Sequence, residues 1–130
     1  MIVDASAILA VYLKENDAEH FARLMLNAET LCMSAPSYVE LCLAAASKRG
    51  AQAVDDIDAQ LALWGVEIIA FDQHAAKLAV SAFLRYGKGR GHPAQLNFRD
   101  CLAYAASKTE AMPLLFKGED FGRTDVERVM

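Results

Sequence analysis

The chain has 130 residues, of which 55% are hydrophobic and 23% charged, with a formal net charge of −4. This length fits a single domain over residues 1–130, and the apolar content excludes an intrinsically disordered chain. The longest apolar run, residues 7–13, is far shorter than the ~20 residues of a transmembrane helix, so we expect a cytoplasmic protein without a membrane partner. Three cysteines without a C-x-x-C pair indicate neither a disulfide framework nor a zinc site.

Strand patterns and helix patterns alternate along the chain. The predicted strands lie at 1–4, 31–33, 66–71 and 113–116, with a weaker edge strand at 126–130. The predicted helices lie at 7–13, from 16 onward, and at 36–50, 51–64, 72–87 and 97–108. Asn16 and Glu19 have the spacing of a capping box for the second helix. The alternation predicts an α/β fold with a mostly parallel sheet and helices on both faces.

The basic residues are concentrated in one stretch. Residues 73–99 contain no Asp or Glu but five Lys and Arg, which leaves 8 basic residues against 17 acidic ones in the rest of the chain. Within this stretch, the sequence GKGRGHP at 87–93 predicts a mobile loop that carries Lys88 and Arg90. Together with Arg99 these side chains are candidates for contacts with a nucleic-acid backbone.

Acidic side chains follow the predicted strands at their carboxyl ends. Asp4 ends the first strand, Glu40 and Asp100 lie in the first turns of later helices, and Asp120 follows the last strand. Carboxyl ends of parallel strands share one sheet edge, so we expect these four acids to converge there. Oxygen ligands without a His or Cys shell favour Mg²⁺ or Mn²⁺ over zinc. Two such ions can activate a water and stabilise the leaving oxygen of a phosphodiester.

Each acid also has a structural interpretation. Asp100 is the third residue of a capping box that begins at Asn97, and Glu40 suits the positive end of a helix dipole. Asp4 can cap the helix that follows the first strand. Ser6 is either a helix N-cap or a hydrogen-bond partner of the site.

Four segments taken in order resemble the PIN-domain ribonucleases, and among them the VapC-type toxins of bacterial toxin–antitoxin pairs. They are IVDASAILA, SAPSYVELCLAA, LNFRDCLAYAASK and LLFKGEDFGRTDV. The resemblance covers the whole chain and implies a three-layer α/β/α fold with a mostly parallel sheet of four or five strands. It also implies an Mg²⁺-dependent endoribonuclease that cuts transfer or ribosomal RNA and is held inactive by a cognate antitoxin. Mn²⁺ is the expected substitute metal.

The resemblance assigns roles to individual residues. Asp4 and Asp100 would hold the metal, and Glu40 and Asp120 would complete its shell or orient the water. Ser6 would support this shell or bind the scissile phosphate. Glu119 and Asp125 stand close to Asp120 in the sequence and are the alternatives for the fourth acid.

Two further expectations concern assembly and competing functions. The helices at 16–28 and 36–50 carry more apolar residues than one face of each can bury, and this predicts a homodimer through Phe21, Leu24, Leu41 and Leu43. Two other functions stay open on the residues alone. One is a phosphoryl-transfer domain, either a receiver or a haloacid-dehalogenase-type phosphatase, and the other is a non-catalytic PIN-like binding module.

Overall fold

Four parallel strands form one sheet in the computed structural model, which describes residues 1–129. The strands are β1 (Ile2–Val3), β2 (Leu31–Ser34), β3 (Val66–Ile69) and β4 (Leu114–Leu115). The helices are α1 (Ala5–Tyr12), α2 (Ala18–Leu26), α3 (Ala35–Arg49), α4 (Gln52–Trp64), α5 (Gln73–Tyr86) and α6 (Phe98–Glu110). The strand order is β3-β2-β1-β4, so β1 lies inside the sheet and pairs through Ile2 with both Cys32 and Leu114.

Apolar side chains cover both faces of this sheet. Ile2 and Leu114 point into a core formed with α5 and α6, whereas the next residue of each strand, Val3 and Leu115, points into a second core formed with α1 to α4. This alternation follows from the two-residue period of a strand. The layers are therefore helix, sheet and helix, and the predicted three-layer α/β/α fold is confirmed in its four-stranded form.

Local sequence signals fix where the helices that border the sheet edge begin. The Ser34 hydroxyl accepts a hydrogen bond from the Ser37 amide at the start of α3, at 3.4 Å. At the start of α6, Asn97 and Asp100 form the predicted capping box. Because both helices begin at the carboxyl edge of the sheet, their first turns present side chains there.

The predicted capping box at Asn16 and Glu19 is wrong. Helix α2 begins at Ala18, its N-cap is Asp17, and no side chain caps it. The Asp17 carboxylate instead accepts a hydrogen bond from Lys117 Nζ at 3.1 Å. This contact joins the start of α2 to the segment after β4, which a local pattern does not reveal.

The predicted edge strand at 126–130 is reduced to one bridge within the described residues. Arg128 pairs with Leu114, and the amide of Leu114 donates to the Glu127 carbonyl at 2.8 Å. Met130, the last residue of that predicted strand, lies outside the described residues.

Two of the four residues expected to be exposed on α2 and α3 are buried. Phe21 and Leu41 lie in the core beside α1, and Leu24 is half-buried against it, because three helices converge on this face of the sheet. Leu43 is exposed as predicted. Other large apolar side chains are also exposed on the surface of α3, α5 and α6, namely Val39, Val80, Phe83, Leu84 and Phe98.

Candidate active site

A cavity of about 250 Å³ opens at the carboxyl edge of the sheet, beside the ends of β1 and β4. Residues of α1, α3 and α6 and of the 3₁₀ turn at Asp120–Arg123 surround it. Its polar lining residues are Asp4, Ser6, Glu40, Asn97, Arg99, Asp100, Lys117 and Asp120. The cavity thus has all four candidate acids and Ser6 in its lining.

Asp4 is the most deeply placed of these acids, with 8% of its surface exposed. It caps α1, because its Oδ2 accepts hydrogen bonds from the Ser6 amide at 3.1 Å and from the Ser6 hydroxyl. The same hydroxyl accepts from the Lys117 amide at 3.0 Å, so Ser6 links the end of β1 to the segment after β4. Burial raises the pKa of the Asp4 carboxyl, and the hydrogen bonds from Ser6 oppose this rise.

Asp100 is held by the capping box of α6. Its Oδ2 accepts a hydrogen bond from the Asn97 amide at 3.0 Å, and the Asp100 amide donates to Asn97 Oδ1 at 2.9 Å. Burial, together with the nearby carboxyls of Asp120 and Asp4, raises the pKa of Asp100 to about 6. The structural interpretation of Asp4 and Asp100 as caps is therefore correct, and the same two side chains also line the cavity.

Glu40 lies across the cavity, in the second turn of α3. The predicted position in the first turn is wrong, because α3 begins at Ala35 and no acidic residue lies in its first turn. Its Oε1 is 3.4 Å from Arg99 Nη1, and 23% of its side chain is exposed. Burial raises the pKa of Glu40 to about 7, and the carboxylate of Asp4 adds to the rise while Arg99 opposes it. Burial is the largest cause of the raised pKa values of Asp4, Asp100 and Glu40, and repulsion between neighbouring carboxylates adds to it at Asp100 and Glu40.

This donor set fits a hard divalent cation. All four acids supply carboxylate oxygens, and a bound cation would relieve the repulsion and burial that raise the pKa of Glu40 and Asp100. Within residues 1–129, no three His, Cys, Asp or Glu side chains are already grouped as a metal site. The acids line the cavity without converging on one point, so binding would have to draw them together.

Of the three alternatives for the fourth acid, Asp120 lines the cavity, whereas Glu119 and Asp125 do not. Asp125 is turned toward α5 and α6: its Oδ1 accepts hydrogen bonds from Tyr104 at 2.7 Å and Tyr86 at 3.3 Å. Its Oδ2 is 3.0 Å from Lys108 Nζ. Hydrogen bonds from these groups lower the pKa of Asp125 despite some desolvation. Asp125 thus anchors the C-terminal segment to α5 and α6.

The glycine-rich segment lies outside the cavity. Lys88 and Arg90 are exposed and do not line it, whereas Arg99 does. Hydrogen bonds from the Lys88 amide to the Leu96 carbonyl, and from the Leu96 amide to the Tyr86 carbonyl, both 2.9 Å, close the base of this loop. The mobility of its tip, and RNA contacts by Lys88, Arg90 and Arg99, stay predictions.

Lys117 also lines the cavity, although it is not among the site residues predicted from the sequence. Its amide holds Ser6, and its Nζ lies 2.9 Å from Glu15 Oε2 and 3.1 Å from Asp17 Oδ1. Its position directly after the last strand is the one signal available in the sequence. The acids it pairs with are about a hundred residues away along the chain.

Comparison with known proteins agrees with this architecture. The PIN domain family model matches residues 1–127. Ribonuclease VapC28 of Mycobacterium tuberculosis is 41% identical over 133 residues, which cover 100% of this chain and 98% of that protein. No helix within residues 1–129 is long and apolar enough to cross a bilayer.

Two solved structures share the fold at low sequence identity. The first is Mycobacterium tuberculosis VapC20, described as a sarcin–ricin loop cleaving toxin, with a TM-score of 0.79, 14% identity and coverage of 98% of this chain and 97% of that one. The second is Rickettsia felis VapBC2 bound to a fragment of promoter DNA, with a TM-score of 0.76, 16% identity and coverage of 99% and 96%. The matched family model and the full-length relatives show that this chain belongs to the PIN-domain family and, within it, to the VapC proteins.

Proposed function

We propose that this chain is a divalent-metal-dependent endoribonuclease toxin that hydrolyses phosphodiester bonds in transfer or ribosomal RNA. The observation that carries the proposal is the single cavity of about 250 Å³ lined by Asp4, Glu40, Asp100 and Asp120. These acids come from four separate segments of the chain, so their shared position around one cavity is a property of the fold. The 41% identity to a full-length protein named a ribonuclease supports the same activity.

Asp4 and Asp100 would hold the Mg²⁺, since hydrogen bonds from Ser6 and from the Asn97 amide already orient their carboxylates. Glu40 and Asp120 would complete the shell or orient the attacking water. When bound, the cation supplies Lewis-acid stabilisation of the phosphate charge and activates water for the attack. Mn²⁺ prefers the same oxygen ligands and is the natural substitute.

The function is tested by incubating the purified chain with transfer RNA and with ribosomal RNA. We expect discrete fragments in Mg²⁺ or Mn²⁺ and intact RNA in excess EDTA, because the acids alone supply no positive charge to the phosphate. Sequencing of the new RNA ends identifies the bonds that are cut. Intact RNA of both classes in both cations would contradict the proposal, and cleavage that survives EDTA would contradict its metal dependence.

The exposed loop between α5 and α6 supplies a second prediction. If Lys88 and Arg90 bind the RNA backbone, changing both to Ala should weaken cleavage of every substrate alike, because phosphate contacts position RNA without reading its bases. The slope of log affinity against log salt should fall by about 1.4–1.8 in magnitude, at ~0.7–0.9 per contact. Filter binding over a salt series measures it, and Mn²⁺ binding serves as the control that should not change. An unchanged slope would mean that the loop connects α5 and α6 without binding the RNA backbone.

We propose a cognate antitoxin as the protein partner, with a basic side chain that enters the acidic cavity. The toxin–antitoxin complexes among the solved structures of this fold support this assembly. The homodimer also stays a prediction. The exposed apolar side chains on α3, α5 and α6 support it, in place of the buried Phe21 and Leu41.

A further inference from the structure

Two cations line the acidic cavity, and they differ in how firmly they are held. Lys117 Nζ contacts Glu15 at 2.9 Å and Asp17 at 3.1 Å, so its charge is already matched outside the cavity. Arg99 Nη1 contacts Glu40 at 3.4 Å, a long hydrogen bond, and 61% of the Arg99 side chain is exposed. Arg99 is therefore the cation of this site that can leave its partner at small cost.

The position of Arg99 in its helix is not explained by helix stability. It lies in the first turn of α6, directly before Asp100, where the helix dipole disfavours a positive charge. The capping box fixes the backbone on both sides of it, so the guanidinium can move without moving Asp100. Arg99 also lines the neighbouring apolar groove with Val39 and Phe98, and it thus stands at the mouth of the cavity.

We propose that Arg99 exchanges partners: it is the counter-ion of Glu40 in the metal-free chain and binds the RNA phosphate once a divalent cation takes up the acids. A cation bound by Asp4, Asp100 and Glu40 replaces the positive charge that Arg99 supplies to Glu40. The released guanidinium then faces the mouth of the cavity, where its planar fork suits two phosphate oxygens. The proposal has two halves. The first half, that Arg99 is the counter-ion of Glu40 in the metal-free chain, rests on the ion pair alone. The second half, that Arg99 then binds the RNA phosphate, rests on the proposed ribonuclease function.

The first half is tested by calorimetric titration of Mn²⁺ into the protein without RNA. Arg99→Gln removes the competing charge, so the variant should bind Mn²⁺ about two- to fivefold more tightly than the parent chain at low salt. The difference should shrink as salt is added, because the competing pair is exposed. Arg23→Gln is the matched control: it removes an Arg–Glu pair of 3.2 Å whose Arg is 64% exposed, and it should leave Mn²⁺ affinity unchanged.

The second half is tested by kcat/KM for RNA cleavage at saturating Mn²⁺. Arg99→Gln should lower it about tenfold or more, since a charge-assisted hydrogen bond to the phosphate is lost. Arg99→Lys, which keeps the charge without the planar guanidinium, should recover part of the activity.

The decisive result is that the two effects of Arg99→Gln have opposite signs, with tighter Mn²⁺ binding and weaker RNA cleavage. Equal or weaker Mn²⁺ binding by Arg99→Gln overturns the exchange, as does full cleavage by that variant. If the parent chain cuts no RNA, the proposed function fails, and the titration still decides the counter-ion role.

Discussion

Asp100→Asn is expected to abolish RNA cleavage while the protein stays folded. Asparagine can still accept the hydrogen bond that Asp100 accepts from the Asn97 amide, so the capping box survives. The variant loses one negative oxygen at the cavity, and with it a metal ligand. Loss of an outer-shell partner of a metal site costs ~10–100-fold, and loss of a ligand should cost at least ~100-fold in kcat/KM.

The same substitution should stabilise the metal-free protein at pH 8. The pKa of Asp100 is raised to about 6, so ionisation of this carboxyl at pH 8 works against the folded state. Asparagine carries no charge, and the melting temperature of the metal-free variant should therefore equal or exceed that of the parent chain. Thermal denaturation followed by circular dichroism checks this, and an inactive variant with a strongly lowered melting temperature would point to misfolding instead.

Asp4→Asn should behave in the same way, and the chain offers a matched control for it. Asp4 caps α1 through the Ser6 amide, and Asp72 caps α5 through the Ala75 amide at 2.9 Å, outside the cavity. Asp72→Asn makes the same chemical change at the same helical position. We expect this control to cleave RNA at the parent rate, so cleavage lost in both variants would assign the effect to helix capping.

Much of this site could be predicted because its residues sit in strong local patterns. Asp4 ends an apolar strand, and Asp100 completes a capping box that begins at Asn97, three residues earlier. Asp4 is placed at the carboxyl edge of the parallel sheet because it directly follows β1. Asp100 reaches the same cavity through the first turn of α6, which follows α5 rather than a strand. The patterns of a helix cap and of a strand-end acid coincide at Asp4, whereas Asp100 shows the pattern of a helix cap alone. Both caps are present in the structure.

The parts that could not be predicted depend on contacts between distant segments. The choice of Asp120 over Asp125 follows from Tyr104 and Lys108, which hold Asp125 against α6. No residue spacing from Asp120 onward in the sequence encodes that choice. Likewise the N-cap of α2, Asp17, pairs with Lys117, which is 100 residues away along the chain. Burial of Leu41 follows from the packing of α3 on α1.

The affinity for Mn²⁺ is expected to rise with pH up to about pH 7. Glu40, with a pKa of about 7, and Asp100, with a pKa of about 6, must each lose a proton before their carboxylates can bind a cation. The logarithm of the affinity should thus rise by up to about one per pH unit between pH 6 and 7, and by up to about two per unit below pH 6. Calorimetric titrations at pH 5.5, 6.5, 7.5 and 8.5 measure this.

The stability of the metal-free protein should change in the opposite direction. Both folded pKa values lie above the ~4.3 and ~3.9 of unfolded Glu and Asp, so these groups favour folding at low pH, and this contribution is lost as pH rises through about 6 and 7. Added Mn²⁺ should consequently raise the melting temperature more at pH 8 than at pH 5.5. Glu40→Gln is the control, since it removes the upper titration and should flatten the affinity between pH 6 and 7. A Mn²⁺ affinity that does not vary between pH 5.5 and 8.5 would mean that these carboxyls do not bind the metal.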